Sequence, residues 1–142
     1  MATRNGSAEW RGGLKDGSGT VTVGDGVFEG AYSFSSRFED GEGTNPEELI
    51  AAAHASCFAM ALSAALSEGG HVPESVRTTA RVHLRNLDGT PTIARIDLEV
   101  EATVPGIGED AFRQTAEEAK AACPVSRALA GVPEIELTAR LA

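Results

Sequence analysis

With 142 residues, the chain has the length of one domain burying roughly two thirds of its unfolded surface. A balance of 12 Lys and Arg against 21 Asp and Glu gives a formal charge of −9. That opposes nucleic acid or an anionic membrane as partner and leaves neutral molecules or proteins.

The opening MATRNGSAEW has no apolar h-region and no small-residue cleavage pattern, so the expected location is the cytoplasm. There the two cysteines meet a reducing environment, and a disulfide between them is transient and catalytic rather than structural. Short alternating runs around Ala8–Trp10, Thr20–Val23 and Ala31–Phe34, broken by glycine pairs and Gly24-Asp25-Gly26, predict small strands joined by tight turns. Ser36 to Gly43 reads as a loop of charges and glycines that places Arg37 ahead of the next element.

That element, Thr44 to Ser67, dominates the chain. Asn45 is a good N-cap, Pro46 suits the first helical position, and Glu47 and Glu48 put negative charge in the first turn. From Leu49 to Leu66 no charge appears, and a helix apolar all round is expected to be buried all round, with Cys57 inside a core. The run approaches the length of a membrane span. Its alanine content, His54, the hydroxyl and thiol groups, and the Gly69-Gly70 and Pro73 exit favour a core helix instead.

Ser75–Leu87 and Thr92–Val104 alternate around Asp88-Gly89-Thr90-Pro91 and predict a hairpin. Glu109–Ala122 predicts a second helix with Phe112, Ala116, Ala119 and Ala122 on one face. Pro124 stops it, so Val125–Ala130 is expected as a separate short helix ended by Gly131, and Glu134–Leu141 as a last strand. The order gives an α+β domain over residues 1–142. An all-apolar helix exceeds what one small sheet covers, so a second subunit is expected.

Cys57 and Cys123 are 123 − 57 = 66 positions apart, which excludes a local CxxC motif and supplies too few ligands for a zinc site. His54, His71 and His83 do not complete that set. Either cysteine alone is readily a small buried hydrophobe. Their marked positions, one mid-helix and one beside a proline at the start of a new turn where a thiolate is stabilised, point instead to a thiol–disulfide cycle.

A buried thiol ionises only near positive charge. Arg37 is the first candidate and Arg127 the second, against the plain alternative of an exposed arginine. Glu48, third after the N-cap, is expected to close a capping box, leaving Glu47 free to hold Arg37. His54 is either a base for Cys57 or a hydrogen-bonded core histidine.

These residues resemble the osmotically inducible protein C and organic hydroperoxide resistance family of thiol peroxidases. SSRFEDGEGTNPEELIAAAHASCFAMALS carries the arginine loop, the helix start and the first cysteine at that family's spacing, and KAACPVSRAL carries the second in its Cys-Pro setting. The AEW opening, the VPGI turn and the last strand match as well, and YSFSSRFE with AHASCF looks like the osmotically inducible branch.

The resemblance implies an intertwined homodimer in which sheets wrap paired central helices. It makes Cys57 the attacking thiol, Cys123 the resolving thiol, and Arg37, oriented by Glu47, the stabiliser of the thiolate. It implies organic hydroperoxides as substrates, with hydrogen peroxide reduced less or equally well, and an external dithiol as reductant; no cofactor or metal is expected, nor, from the charge, nucleic acid or membrane. Phe58 and Met60 are then candidates for binding the organic tail. Two other readings use the same scaffold: hydrolysis or acyl transfer through Cys57 with His54 as base, which needs no second cysteine, and a ligand-binding dimer whose cysteines merely pack.

Overall fold

A computed structural model of the chain describes residues 2–142. The elements run β1 (Gly6–Arg11), β2 (Ser18–Val23), β3 (Phe28–Tyr32), α1 (Phe34–Phe38), α2 (Pro46–Glu68), β4 (Ser75–Leu87), β5 (Thr90–Thr103), α3 (Glu109–Ala122), α4 (Pro124–Ala128) and β6 (Glu134–Leu141). The expected α+β class is borne out. The chain gathers into two compact units, Met1–Leu49 and Ile50–Ala142.

In the first unit β1, β2 and β3 form an antiparallel meander. Gly19 in β2 lies opposite both Trp10 and Tyr32, and a Cβ there would come within 2.7 Å of the Trp10 ring and 2.5 Å of the Tyr32 ring. Bare backbone at this point lets the two rings approach to 5.3 Å between centroids across the middle strand.

The expected strand through Phe34 and the coil around Arg37 are both corrected. β3 ends at Tyr32, and Phe34–Phe38 is a helical turn. Its cause is a reciprocal cap: the Ser36 amide donates to Ser33 Oγ at 3.1 Å and the Ser33 amide donates to Ser36 Oγ at 2.8 Å. Two serines at that spacing inside YSFSSRF look like strand residues until the cap is seen.

The loop after α1 returns to β3, where the Thr44 amide donates to the Ala31 carbonyl at 2.8 Å. Gly43 makes this closure possible, with φ at 117° and room for a Cβ only 2.6 Å from the Ala31 oxygen. Asn45 caps α2 as expected: its Oδ1 accepts the Glu48 amide at 2.8 Å, while its Nδ2 donates to the Ser36 carbonyl at 2.9 Å. The predicted capping box is incomplete, because the Glu48 carboxylate accepts the Thr44 hydroxyl at 3.0 Å instead.

In the second unit β4 and β5 form the expected hairpin. Asp88 and Gly89 both take positive φ, 52° and 83°, with Leu87 opposite Thr90, so the turn needs two residues and β5 starts at Thr90 rather than Thr92. β6 pairs in parallel with β5, giving the order β4-β5-β6 with α3 and α4 in the crossover. Along β5, Ala94, Ile96, Leu98, Val100 and Ala102 are buried. The alternate residues Arg95, Asp97, Glu99 and Glu101 pair with Glu134, His83, Arg81 and Arg140 on the flanking strands.

The inner face of the sheet shares its core with Phe58, Leu62 and Leu66 of α2 and with Phe112, Ala116, Ala119 and Cys123. The predicted α3 stripe is corrected at its end: Ala122 is exposed and Cys123 takes its place. The second helix therefore delivers a sulfur into the core. Its successor also differs slightly from expectation, starting at Pro124 and ending at Ala128.

The larger correction concerns α2. Among its residues in this unit only His54, Phe58, Leu62 and Leu66 are buried, one stripe at four-residue spacing, while Ala53, Ser56, Ala64 and Met60 are exposed, Met60 to 76%. Apolar composition on every face says that burial is favourable, not that one chain supplies the cover.

Candidate active site

Within the first unit, α1 aims Arg37 at the start of α2. Arg37 Nε donates to Glu47 Oε1 and Oε2 at 3.1 and 3.2 Å, and Nη2 donates to Oε1 at 2.7 Å. This fork-on-carboxylate geometry fixes both side chains. Glu47 is buried to 7% exposure, and Arg37 also stacks on the Phe38 ring at 5.3 Å. The expected Arg37–Glu47 partnership is what the structure shows.

Beside Arg37 opens a cleft of about 200 Å³ lined mainly by Trp10, Leu14, Tyr32, Phe34 and Phe38. These aromatic neighbours were not foreseen. The Trp10 and Tyr32 contact depends on cross-strand register and the Gly19 gap, neither of which is visible in a linear reading.

Within the second unit, α2 and the α3–α4 junction bring Cys57 and Cys123 together. Their sulfurs are 2.9 Å apart, and both are free thiols. Cys57 is partly exposed, whereas Cys123 is fully buried. Pro124 breaks α3, so Cys123 is at once its C-cap and the N-cap of α4, with φ −56° and ψ 121°.

At 2.9 Å the two sulfurs share a proton and behave as one titrating pair. Burial pushes the Cys57 thiol up, and the neighbouring Cys123 adds to it, with only the Val125 amide opposing. Burial acts on Cys123 in the same sense, but Cys57, the amide and hydroxyl of Ser126 and the Val125 amide together hold it below the ordinary thiol value. Within this unit the contacts therefore favour the anion at Cys123 over Cys57, while access from solvent is at Cys57.

His54 is fully buried, and its Nε2 lies 2.7 Å from Ser126 Oγ. Burial lowers its pKa, so the ring is neutral. Of the two readings of His54 the structure takes the hydrogen-bonded core histidine, with Ser126 rather than Cys57 as partner. Ser126 was missed in the sequence; three residues after an N-cap cysteine was its signal. Arg127 is exposed on α4. Phe58 is buried in the core and does not serve a substrate tail, which corrects that expectation.

The OsmC-like protein family model matches residues 39–138. Peroxiredoxin OsmC of Escherichia coli (strain K12) is 49% identical over 127 residues, 89% of each chain. An organic hydroperoxide resistance protein of Xanthomonas axonopodis pv. citri (strain 306) is 31% identical over 99 residues, 69% of this chain and 68% of the other.

Among solved structures, the OsmC-like protein from Mycoplasma pneumoniae has a TM-score of 0.77 at 17% identity, covering 99% of this chain and 97% of that one. The organic hydroperoxide resistance protein OhrB of Bacillus subtilis has a TM-score of 0.70 at 24% identity, covering 97% and 98%. Both carry the same fold. With a family model spanning most of its length and a relative about half identical nearly end to end, the chain belongs to the OsmC-like protein family.

Proposed function

We propose that this protein is a thiol-dependent peroxidase that reduces organic hydroperoxides through Cys57 and Cys123. The observation that carries it is the pair of free thiols 2.9 Å apart, joined from positions 66 residues distant, in a chain of this family. A protein that only packs its cysteines has no need to aim two of them at each other.

The Cys57 thiolate attacks the distal peroxide oxygen; a sulfur–oxygen bond forms, the oxygen–oxygen bond breaks, and the alkoxide leaves as alcohol after taking a proton. Cys57 is then a sulfenic acid. The Cys123 sulfur attacks it, the sulfur–oxygen bond breaks, and water leaves with the thiol proton, giving the Cys57–Cys123 disulfide. An external dithiol restores both thiols.

Cys57 takes the first step because it is the accessible sulfur. Since burial pushes that thiol up, a cation must reach it, and Arg37 held by Glu47 is the group we assign to stabilising the thiolate and the charge that develops on the peroxide oxygens. The aromatic cleft beside Arg37 offers the organic part of a hydroperoxide an apolar wall, in place of Phe58. The purified protein with dithiothreitol is expected to consume cumene hydroperoxide faster than hydrogen peroxide. No consumption of either would remove the peroxidase reading.

We further assign the site to a homodimer. Glu47 and Cys57 are 57 − 47 = 10 positions apart on α2, a rise of about 15 Å at roughly 1.5 Å per residue. That is beyond the reach of a carboxylate. The exposed Ala53, Ala64 and Met60 face of the helix gives a second copy an apolar seat, and antiparallel helices packed about 8–10 Å apart bring the start of one toward the middle of the other.

Arg37 and Glu47 of one protomer then serve Cys57 of its partner. A mixed dimer of Glu47→Ala and Cys57→Ser chains puts both lesions in one site and is expected to keep about half the wild-type activity. Activity near zero refutes the arrangement.

A further inference from the structure

His54 is buried in the core on the same α2 stripe as Phe58, yet no step assigned so far uses it. Its ring has one polar partner, Ser126 Oγ at 2.7 Å, and its Nδ1 is buried with no partner among the described residues. A neutral imidazole carries a single N–H. Placed on Nδ1 that hydrogen would be a stranded donor, whereas on Nε2 it is satisfied by Ser126. The ring is therefore the Nε2–H tautomer and donates to the Ser126 oxygen. Ser126 cannot in turn give its hydroxyl hydrogen to Nε2, so that hydrogen is free for another acceptor.

The backbone brings one acceptor within reach, the Cys123 sulfur. Cys123 is the N-cap of α4 and Ser126 its third residue, the position whose amide and side chain turn back toward the cap. In the dithiol state the Cys123 side chain completes no capping hydrogen bond and its thiol donates to Cys57, yet the amide and hydroxyl of Ser126 already lie on the side of its sulfur and help to hold its pKa down. Once Cys57 has become a sulfenic acid, Cys123 has to present a thiolate to it in a fully buried place. A hydroxyl already oriented by a buried histidine supplies the donor that such a charge needs without reorganisation.

We propose that Ser126, oriented by His54, is a positioning residue for the resolving thiol, donating its hydroxyl hydrogen to the Cys123 sulfur as that sulfur attacks the Cys57 sulfenic acid. The assignment rests on the peroxidase reading and deepens it: it divides the cycle into a first step served at Cys57 and a second served by His54 and Ser126. The reaction remains thiol plus sulfenic acid giving disulfide plus water. No oxidant or reductant beyond the hydroperoxide is involved.

The test compares Ser126→Thr with Ser126→Val, nearly isosteric side chains that differ in the hydroxyl. Reduced protein is mixed with one equivalent of cumene hydroperoxide. Sulfenic acid is trapped with dimedone, and disulfide closure is followed by loss of both thiols under non-reducing conditions.

The Val variant is expected to lower the ratio of closure rate to sulfenate formation by about tenfold or more relative to Thr, the effect of losing one hydrogen bond to an ionised group. Dimedone-trapped Cys57 should accumulate accordingly. His54→Phe should act in the same direction, with His54→Gln restoring closure through its amide N–H.

Equal ratios in Ser126→Thr and Ser126→Val overturn the assignment while leaving the peroxidase reading intact. If wild-type protein forms no sulfenic acid with the peroxide, the peroxidase reading fails and this assignment with it. Melting curves of both variants accompany the kinetics; a pair that melts alike but closes differently excludes a merely structural effect.

Discussion

Replacing Cys57 with serine is expected to lower peroxide turnover by on the order of 10³-fold or more, the scale on which enzymes lose rate when a covalent nucleophile is removed. Cys123→Ser should behave differently. It retains the accessible sulfur, so one equivalent of peroxide is consumed and Cys57 accumulates as a sulfenic acid with nothing to resolve it. Intact-mass analysis after dimedone trapping reads both outcomes.

The pair is not symmetric in its electrostatics, which makes the experiment a sharp one. Burial pushes Cys57 up, while its contacts hold Cys123 down, so charge alone would nominate Cys123 as the attacker. Full burial of Cys123 argues the other way. Rapid oxidation of Cys123 in the Cys57→Ser protein, at the wild-type rate, would reverse the roles assigned here.

Arg37→Met is expected to slow peroxide attack by about 10²–10³-fold, comparable to removing one preorganised donor from a site that stabilises developing negative charge. The same change should move the midpoint of Cys57 alkylation to higher pH. The sign follows from the causes: burial already raises this thiol, and a cation is what offsets it, so losing the cation leaves the rise unopposed.

Glu47, buried and gripped by three Arg37 hydrogen bonds, would also be left without its partner, at a cost of about 1–3 kcal/mol in stability. Arg37→Lys keeps the charge but not the fork, and should recover the alkylation midpoint better than the rate. An unchanged midpoint in Arg37→Met would reduce Arg37 to a structural residue, with Arg127 next to be tested.

Much of the fold was legible in the chain itself because the signals are local. Asn45, Pro46 and two glutamates mark the start of α2 by satisfying amides in its own first turn. Period-two alternation gave β4, β6 and most of β5, and Asp88-Gly89 gave the hairpin through positive φ. Pro124 separated α3 from α4 and set Cys123 at the junction.

Other features depended on partners distant in sequence. α1 was misread because its cap is a reciprocal bond between two serines that strand periodicity equally allows. Glu48 left its predicted box because Thr44, brought back by the β3 closure, was a competing donor.

The same divide runs through the site. Residue types and spacing were enough to nominate Arg37, Glu47, Cys57 and Cys123, since each sits at a position with its own local mark. Only the tertiary structure decided that the two sulfurs lie 2.9 Å apart, that His54 turns to Ser126, and that Trp10, Tyr32 and Phe34 line a cleft by Arg37. Those contacts arise where the α3–α4 break meets α2 and where three strands find their register. A hydrogen bond spanning 72 positions, as between His54 and Ser126, leaves no trace in periodicity or propensity, because it is selected by how the whole core packs rather than by either neighbourhood alone.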